Sequence, residues 1–553
     1  MIVAMRHLDL VCLASERDAT LTALRDIGAV HLDLAAASGA AVAAAKGDGE
    51  AAEKAVRLIL RSRGKTPAGE FEIRERSVAE VLALEADRLT LIEERDRLER
   101  EIKRYAAYGD FDPELAKKVL AGMEARGLGD VFKAVVTLPA GLPEMRLAKL
   151  QEKYERVVNR VKIDDVKLAS CDERAVLRRY PALRDRVAFE SARELMGERG
   201  ALAFVSGWLP VTEEEGLRRA AADRGWAVLL REPAEGEAPP TLIEPPKLFR
   251  PMKSLFAGLG ISPAYTEADV SVPFMCYFTL FFAMLVGDGA YGAIFLIITL
   301  LMRKKLPRSW FILLTVFSAA TVGWGFLSNT WFGAGLPFAA DWPTVKWLAD
   351  PSYKNIMLLC FTIGVSHLML ARIWNGVCRL PDSTALAEFG WAGVLLFMYF
   401  VTNSLVGIFA SIPSVMMGVF GVSLALVFLF SVKPSQLKTN GITLGMLPLN
   451  IMSALGDIIS YVRLFAVGLA SAKVAANFNA MAVGLVSSEN ALWLNAVMSV
   501  LMVLILVAGH GLNLAMAALS ILVHAVRLNT LEFSNHKGVS WSGYSFNPFK
   551  KEK

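Results

Sequence analysis

The chain has 553 residues, 54% of them hydrophobic and 20% charged, with a formal net charge of +5 at pH 7. So small an excess over this length gives no case for nucleic-acid binding. Cys12, Cys171, Cys276, Cys360 and Cys378 show neither CxxC nor Cys/His spacing, so they point to no metal site and no disulfide framework, and no cofactor motif stands out.

The opening residues, MIVAMRHLDLVCLASERD, put Arg6, Asp9, Glu16 and Arg17 where a signal peptide needs an apolar core. This predicts an N-terminal region that stays in the cytoplasm. Up to about residue 265 the sequence is charged and alanine-rich. Beyond it, long apolar runs alternate with short polar loops. The expected organisation is an α+β cytoplasmic domain over 1–250 and an all-α polytopic membrane domain over 251–553.

In the first part, RHLDLVCLASERDATLTALRDIGAVHLDL reads as strand, helix, strand, with Gly28 ending the helix before Val30-His31-Leu32. A second such unit runs from the strand Leu202–Val205 through Gly207-Trp208 and a helix to the strand Trp226–Leu230. Between the two α/β units lie charged helical stretches with apolar residues near helical spacing: Val78, Leu82, Leu89, Ile92 and Ile102, then Leu147, Leu150, Tyr154, Val157 and Val161. They predict antiparallel coiled-coil arms at about 77–106 and 143–168, with 107–142 as the tip, suited to a stalk or docking role. Arg63-Gly64-Lys65-Thr66 imitates the end of a phosphate-binding loop, but Ile59 stands where its first glycine belongs and no apolar strand precedes it. Nucleotide hydrolysis by this chain is not expected. The Pro-rich stretch Glu232–Pro251 reads as a linker.

Apolar runs then occupy 272–302, 310–333, 354–376, 388–409, 412–432, 446–480 and 491–530. The first contains Gly287-Asp288-Gly289. A break there returns Arg303-Lys304-Lys305 to the cytoplasm, together with Arg372/Arg379, Lys433/Lys438 and the lysine-rich tail, while Gly333–Lys354 lies outside. This gives about eight helices with both termini cytoplasmic, the last two long and tilted: a run of 446–480 would span ~50 Å against a ~30 Å hydrocarbon core.

Arg463 sits in the middle of that run. Its guanidinium cannot deprotonate, and burial at mid-membrane costs from ~2.5 to more than ~10 kcal/mol. Asp288 and Asp457 are the internal partners considered, but Asp457 is six residues earlier on another helical face. Around Arg463, Ala466, Gly468, Ala470, Ser471, Ala472, Ala475 and Ala476 let another helix approach closely. On the last helix Asn513, Ser520, His524 and Arg527 share a face. An antiparallel pairing is expected to put His510 and Asn513 level with Arg463, and His524, Arg527 and Glu532 toward the cytoplasm. Each has a plainer reading beside the functional one: Arg527 as a snorkelling or capping residue, Asp288 as structural, His510 and Asn513 as interhelical hydrogen-bonding groups, Asp457 as a helix cap.

Three groups of residues together resemble one family. Ser460-Tyr461-Val462-Arg463-Leu464-Phe465-Ala466 is similar to its S-Y-[LV]-R-L segment. His524-Ala525-Val526-Arg527-Leu528 with Leu531-Glu532-Phe533 resembles its last-helix motif, and FFAMLVGDGAYG its break after the first span. GAVHL and Gly207-Trp208-Leu209-Pro210 add landmarks in the soluble half. The family is the membrane stator subunit of V/A-type rotary ATPases, subunit a or subunit I, and the resemblance covers essentially the whole chain.

It implies a non-catalytic subunit whose Arg463 faces a ring of carboxylate-bearing proteolipids. There Arg463 discharges each carboxylate of its ion (H⁺ or Na⁺) and separates two half-channels. Arg527, His524, Ser520, Asn513, Asp457 and Ser471 are implied along the ion path, with Asp288, His510 and Glu532 as lining or structural groups, and Ala466, Ala470 and Ala475 toward the ring. Implied partners are that ring, peripheral-stalk coiled coils bound by the N-terminal arms, the central-stalk and catalytic subunits through the complex, and the lipid bilayer. In this view Arg463 has no internal partner because its partner rotates past. Two positions depart from many eukaryotic members: Ala517 replaces a glutamate, and Ser471 a histidine. The rival reading is a secondary transporter or channel in which Arg463 binds an anionic substrate; no inverted repeat supports it.

Overall fold

The computed structural model describes residues 1–34, 37–64, 72–128, 144–348, 350–431, 445–485 and 492–551. Lys433, Lys438, Lys553, Lys65 and Thr66, and residues 129–142 of the expected 107–142 tip, lie outside these. The chain divides into two compact units, Arg6–Glu232 with Asn547–Lys553, and Met1–Met5 with Pro233–Phe546.

The first unit is built on β1 (Met5–Leu13), whose Leu8, Leu10 and Cys12 are buried at the two-residue period of a strand with one covered face. α1 (Arg17–Ile27) follows and ends where Gly28 takes a left-handed φ of 65°. The helices are α2 (Ala40–Arg63), α3 (Val78–Tyr105), α4 (Pro113–Glu124), α5 (Leu147–Ala169) and α6 (Glu173–Leu195). The remaining elements are β2 (Gly197–Arg199), β3 (Leu202–Pro210), α7 (Glu214–Arg224) and β4 (Ala227–Arg231). The two expected α/β units merge into a single four-stranded sheet of order β2-β3-β1-β4. β4 pairs antiparallel with β1, from His7 opposite Arg231 to Val11 opposite Ala227. The strand expected at Val30–Leu32 is reduced to a backbone bridge between His31 and Trp208. Gly207 is required there, because a Cβ would lie 2.6 Å from the His31 carbonyl oxygen.

α3 and α5 run antiparallel, joined by Arg88–Asp165 and Lys153–Glu94 ion pairs over a core of Leu98, Tyr105, Leu150 and Val157. α3 starts with a capping box, Ser77 and Glu80 satisfying each other's backbone N–H. α2 was not expected. Its sequence is alanine-rich with two glycines, and Ala52, Ala55 and Ile59 bury one face against Leu168 and Val176. Arg63, the start of the imitation phosphate loop, closes this helix, and its side chain pairs with Glu173.

His31 is buried, and its Nδ1 accepts from the Asn547 N–H at 3.0 Å. Burial pushes its pKa below 6.5, partly offset by the nearby Asn547 carbonyl and Asp33. The folded unit therefore favours the neutral ring, and the stability this contributes is full above pH 6.5 and lost as pH falls toward the depressed value. Thermal unfolding of the purified chain between pH 7 and pH 5 should show that loss, and His31→Gln should flatten it.

The second unit contains α8 (Met252–Leu259), α9 (Ser271–Val286), α10 (Gly289–Leu301), α11 (Arg308–Ser328), α12 (Pro343–Leu348), α13 (Lys354–Arg379), α14 (Thr384–Leu405) and α15 (Ser414–Phe430). Next come α16 (Leu447–Ile459), α17 (Val462–Val483) and α18 (Leu492–Ser520). α18 continues through π-helical turns at Ile521–Ala525 and Leu528–Phe533 into α19 (Ser534–Lys537). Its core is rich in phenylalanine, including Phe274, Phe278, Phe281, Phe282 and Phe317.

Among the described residues five helices are long and apolar enough to cross a bilayer, or six when the bent pair α9–α10 counts as one span. α15 is a shorter apolar helix. This is a multi-pass membrane protein by composition and length, with fewer full-length spans than the eight expected. The first apolar run does break at Gly287-Asp288, by 118°.

Candidate functional site

Arg463 is the second residue of α17, just after the chain leaves α16 at Ser460-Tyr461. The interruption frees the Ser460 carbonyl, which accepts from the Arg463 Nε at 2.8 Å. Tyr461 anchors the break. It is fully buried, its hydroxyl meets His367 Nδ1 at 2.8 Å, and Gly364 clears space for its ring, since a Cβ there would come within 2.6 Å. His367 stacks on Phe533 at 4.5 Å and on Tyr277 at 4.0 Å. Aromatic packing thus fixes the end of the last membrane helix beside Arg463.

The consequence is a partner that the sequence did not reveal. Arg463 Nη2 pairs with Glu532 Oε1, and the Arg527 Nε lies 3.6 Å from the same oxygen. The expectation that Arg463 lacks an internal partner is therefore corrected, as is the choice of Asp288 or Asp457 for that place. The expected register is corrected too. Arg463 is level with Glu532, whereas Asn513 is level with Ser471 and His510 with Asn479. The two π turns change the phase of the last helix beyond Ser520, so counting at 3.6 residues per turn misassigns the faces of His524, Arg527 and Glu532. They do not account for the positions of His510 and Asn513, which precede them.

Two polar clusters result. The inner one holds Arg463, Arg527 and Glu532, with His524 within electrostatic reach of both arginines. Asp457 caps no helix among the described residues; it meets His536 Nε2 at 3.0 Å. His536 Nδ1 accepts from Arg372 Nε, and Arg372 and Arg379 both pair with the buried Glu388. The sequence placed Arg372 and Arg379 in a loop and passed over Glu388 and His536; the arginines instead occupy the last two turns of α13.

The outer cluster centres on Asn513, which donates to the Ser471 carbonyl at 2.8 Å and the Tyr291 hydroxyl at 3.0 Å and accepts from the Ser471 hydroxyl at 3.1 Å. His510 joins Tyr291 at 2.8 Å and Asn479 at 3.0 Å. Along the helices between the clusters stand Leu464, Val467 and Gly468, and Ala517 and Ile521 on the facing strand of sequence. Gly468 lets the Met284 carbonyl of α9 approach, since a Cβ would be 2.5 Å from it. Ser471 lies ~12 Å along the helix from Arg463, so these apolar positions separate the two polar groups.

Asp288 is wholly buried and caps α10. Its Oδ1 accepts from Ala290 at 2.8 Å and Phe332 at 3.0 Å, and its Oδ2 from Gly333 at 2.9 Å. These bonds tie the start of α10 to the Phe332-Gly333 turn. Ser520 is half-buried and is not brought into either cluster by a hydrogen bond among the described residues. Ala466 and Ala470 are exposed on α17, in one row with Lys473 and Asn477. Ala475 is not in that row. It is fully buried beneath Gly333, whose missing Cβ would otherwise meet it at 2.8 Å. Lys473 was not singled out in the sequence, although a lysine at helical spacing from Ala466 and Ala470 was the available signal.

No family model matches the chain. Among curated proteins it is 34% identical to the V-type ATP synthase subunit I of Borreliella burgdorferi, over 64% of this chain and 60% of that protein's length. It is 28% identical to the V-type ATP synthase subunit I 1 of Treponema pallidum over the full length of both. It is 25% identical to the A-type ATP synthase subunit I of Methanocaldococcus jannaschii, over 74% of this chain and 64% of that protein. A polytopic helical chain with this buried arginine site is thus a homologue of ATP synthase subunits of the V and A types. The proteins it is similar to are named subunit I.

Proposed function

We propose that the chain is the non-catalytic membrane stator of a rotary V/A-type ATPase and forms, with a ring of carboxylate-bearing proteolipids, the path for H⁺ or Na⁺. The observation that carries this reading is the setting of Arg463. One side of its guanidinium is held by Ser460 and Glu532, and its side chain keeps 21% exposure next to the exposed Ala466 and Ala470. A ring helix can approach closely over such small residues. A ring carboxylate arriving there has its charged form favoured and releases its ion.

The inner and outer polar clusters serve as the two half-channels, and the layer around Leu464, Gly468 and Ala517 stops a direct leak. Asp457, His524, Arg527 and Glu532 belong to the inner path, Ser471, His510 and Asn513 to the outer. In this reading residues 251–553 form the translocating domain and 1–250 the cytoplasmic one. Both termini are cytoplasmic, and about eight crossings arise when α9, α10 and α15 each count. The antiparallel α3–α5 arm docks peripheral-stalk coiled coils, and through them the catalytic subunits.

Purification of the tagged chain in mild detergent with mass spectrometry of its companions tests this. A small carboxylate-bearing proteolipid and nucleotide-binding subunits are expected. A stable chain without them, showing substrate-dependent flux in vesicles, would favour the transporter reading.

A further inference from the structure

We propose that Glu532 is the resident counter-ion of Arg463, sharing the guanidinium with each ring carboxylate so that no single one is held too firmly to leave. The inference rests on the stator reading above. A carboxylate as buried as Glu532, with 6% of its side chain exposed, is costly unless paired. Its Oε1 serves Arg463 and lies near Arg527, while its Oε2 is buried with no hydrogen-bond partner among the described residues.

Arg463, for its part, is tethered at Nε by the Ser460 carbonyl and at Nη2 by Glu532. A guanidinium has five N–H donors in a rigid fork, so donors remain for a second carboxylate approaching from the exposed side. The group of Arg463, Arg527 and Glu532 carries one net positive charge, which one arriving ring carboxylate neutralises. Without Glu532 the same carboxylate would face two unshared guanidinium groups in a poorly solvated place, where attraction is strong and release slow. Glu532 also keeps the guanidinium aimed between arrivals. It is a positioning residue, since it acts through Arg463.

The test uses the assembled complex in proteoliposomes, comparing Glu532→Gln, Glu532→Asp and Arg463→Ala for subunit content, ATP-driven pumping and ATP hydrolysis. Glu532→Gln is expected to assemble and to slow pumping and hydrolysis together by about tenfold, because a ring that is held stops both. Glu532→Asp, which keeps the charge, should recover most of the rate. The proposal is overturned by wild-type rates in Glu532→Gln, by lost pumping with hydrolysis unchanged, or by no recovery in Glu532→Asp. It is equally overturned if neither Glu532 variant assembles while Arg463→Ala does, for the carboxylate would then be a prop. Normal pumping by Arg463→Ala sinks the stator reading itself. A dead Arg463→Ala beside a normal Glu532→Gln removes only the present inference.

Discussion

Arg463→Ala is expected to abolish coupled ion pumping while leaving the complex assembled. In the proposed stator role, with Arg463 gone and Arg527 drawn to Glu532, no unshared guanidinium is left to favour the charged ring carboxylate, so each site keeps its ion and no net transport follows rotation. Removing one member of a buried pair usually costs ~3–5 kcal/mol, because the other charge is left uncompensated. Here Arg527 already lies 3.6 Å from Glu532 and can take over the vacated carboxylate. That is why assembly should survive when transport does not. Arg463→Lys should be nearly as poor. An ammonium on a shorter stem cannot hold both the Ser460 carbonyl and Glu532 and still offer a planar fork to a third group. ATP-driven pumping into vesicles, normalised to assembled complex, checks both variants, and wild-type pumping by either would refute the mechanism.

Asp288→Ala should be the most damaging change for stability. One fully buried carboxylate satisfies backbone donors of the α10 start and of the Phe332-Gly333 turn. Truncation strands those N–H groups, at on the order of 3–5 kcal/mol together. Asp288→Asn tests the cause. Its carbonyl can still serve Ala290 and Phe332, but its NH₂ would face the Gly333 N–H, donor against donor, so about half the loss is expected to remain. Thermal unfolding of the detergent-solubilised chain should rank them wild type, Asn, Ala. Equal stability of all three would mean that the cap is replaceable by water.

Arg463 was legible because a permanently charged group in an apolar run is anomalous on composition alone. The break at Gly287-Asp288 was legible because charge placement on either side of the bilayer required it. Glu532 as the partner was not. Pairing between residues 69 apart depends on how the two helices are phased, and nothing in ILVHAVRLNTLEF distinguishes a π turn from an α turn. The Ala475 assignment failed for a related reason. Small side chains mark close approach without saying to what, and Ala475 meets the Gly333 turn of its own chain. The α2 helix was missed because much of its buried face is alanine, whose side chain marks a helical period only weakly.

The network of Asp457, His536, Arg372, Glu388 and Arg379 ties α16, α19, α13 and α14 to one another with charge-assisted bonds. In the stator role proposed above, this is a matter of stiffness. A rotor dragged past α17 pushes back on it with an equal torque, and any sideways yield would widen the gap between guanidinium and carboxylate on every step. Cross-bracing helices at the end nearest Arg463 confines that elastic strain to softer parts of the machine, so that the spacing at the one contact that gates ion transfer stays constant under load.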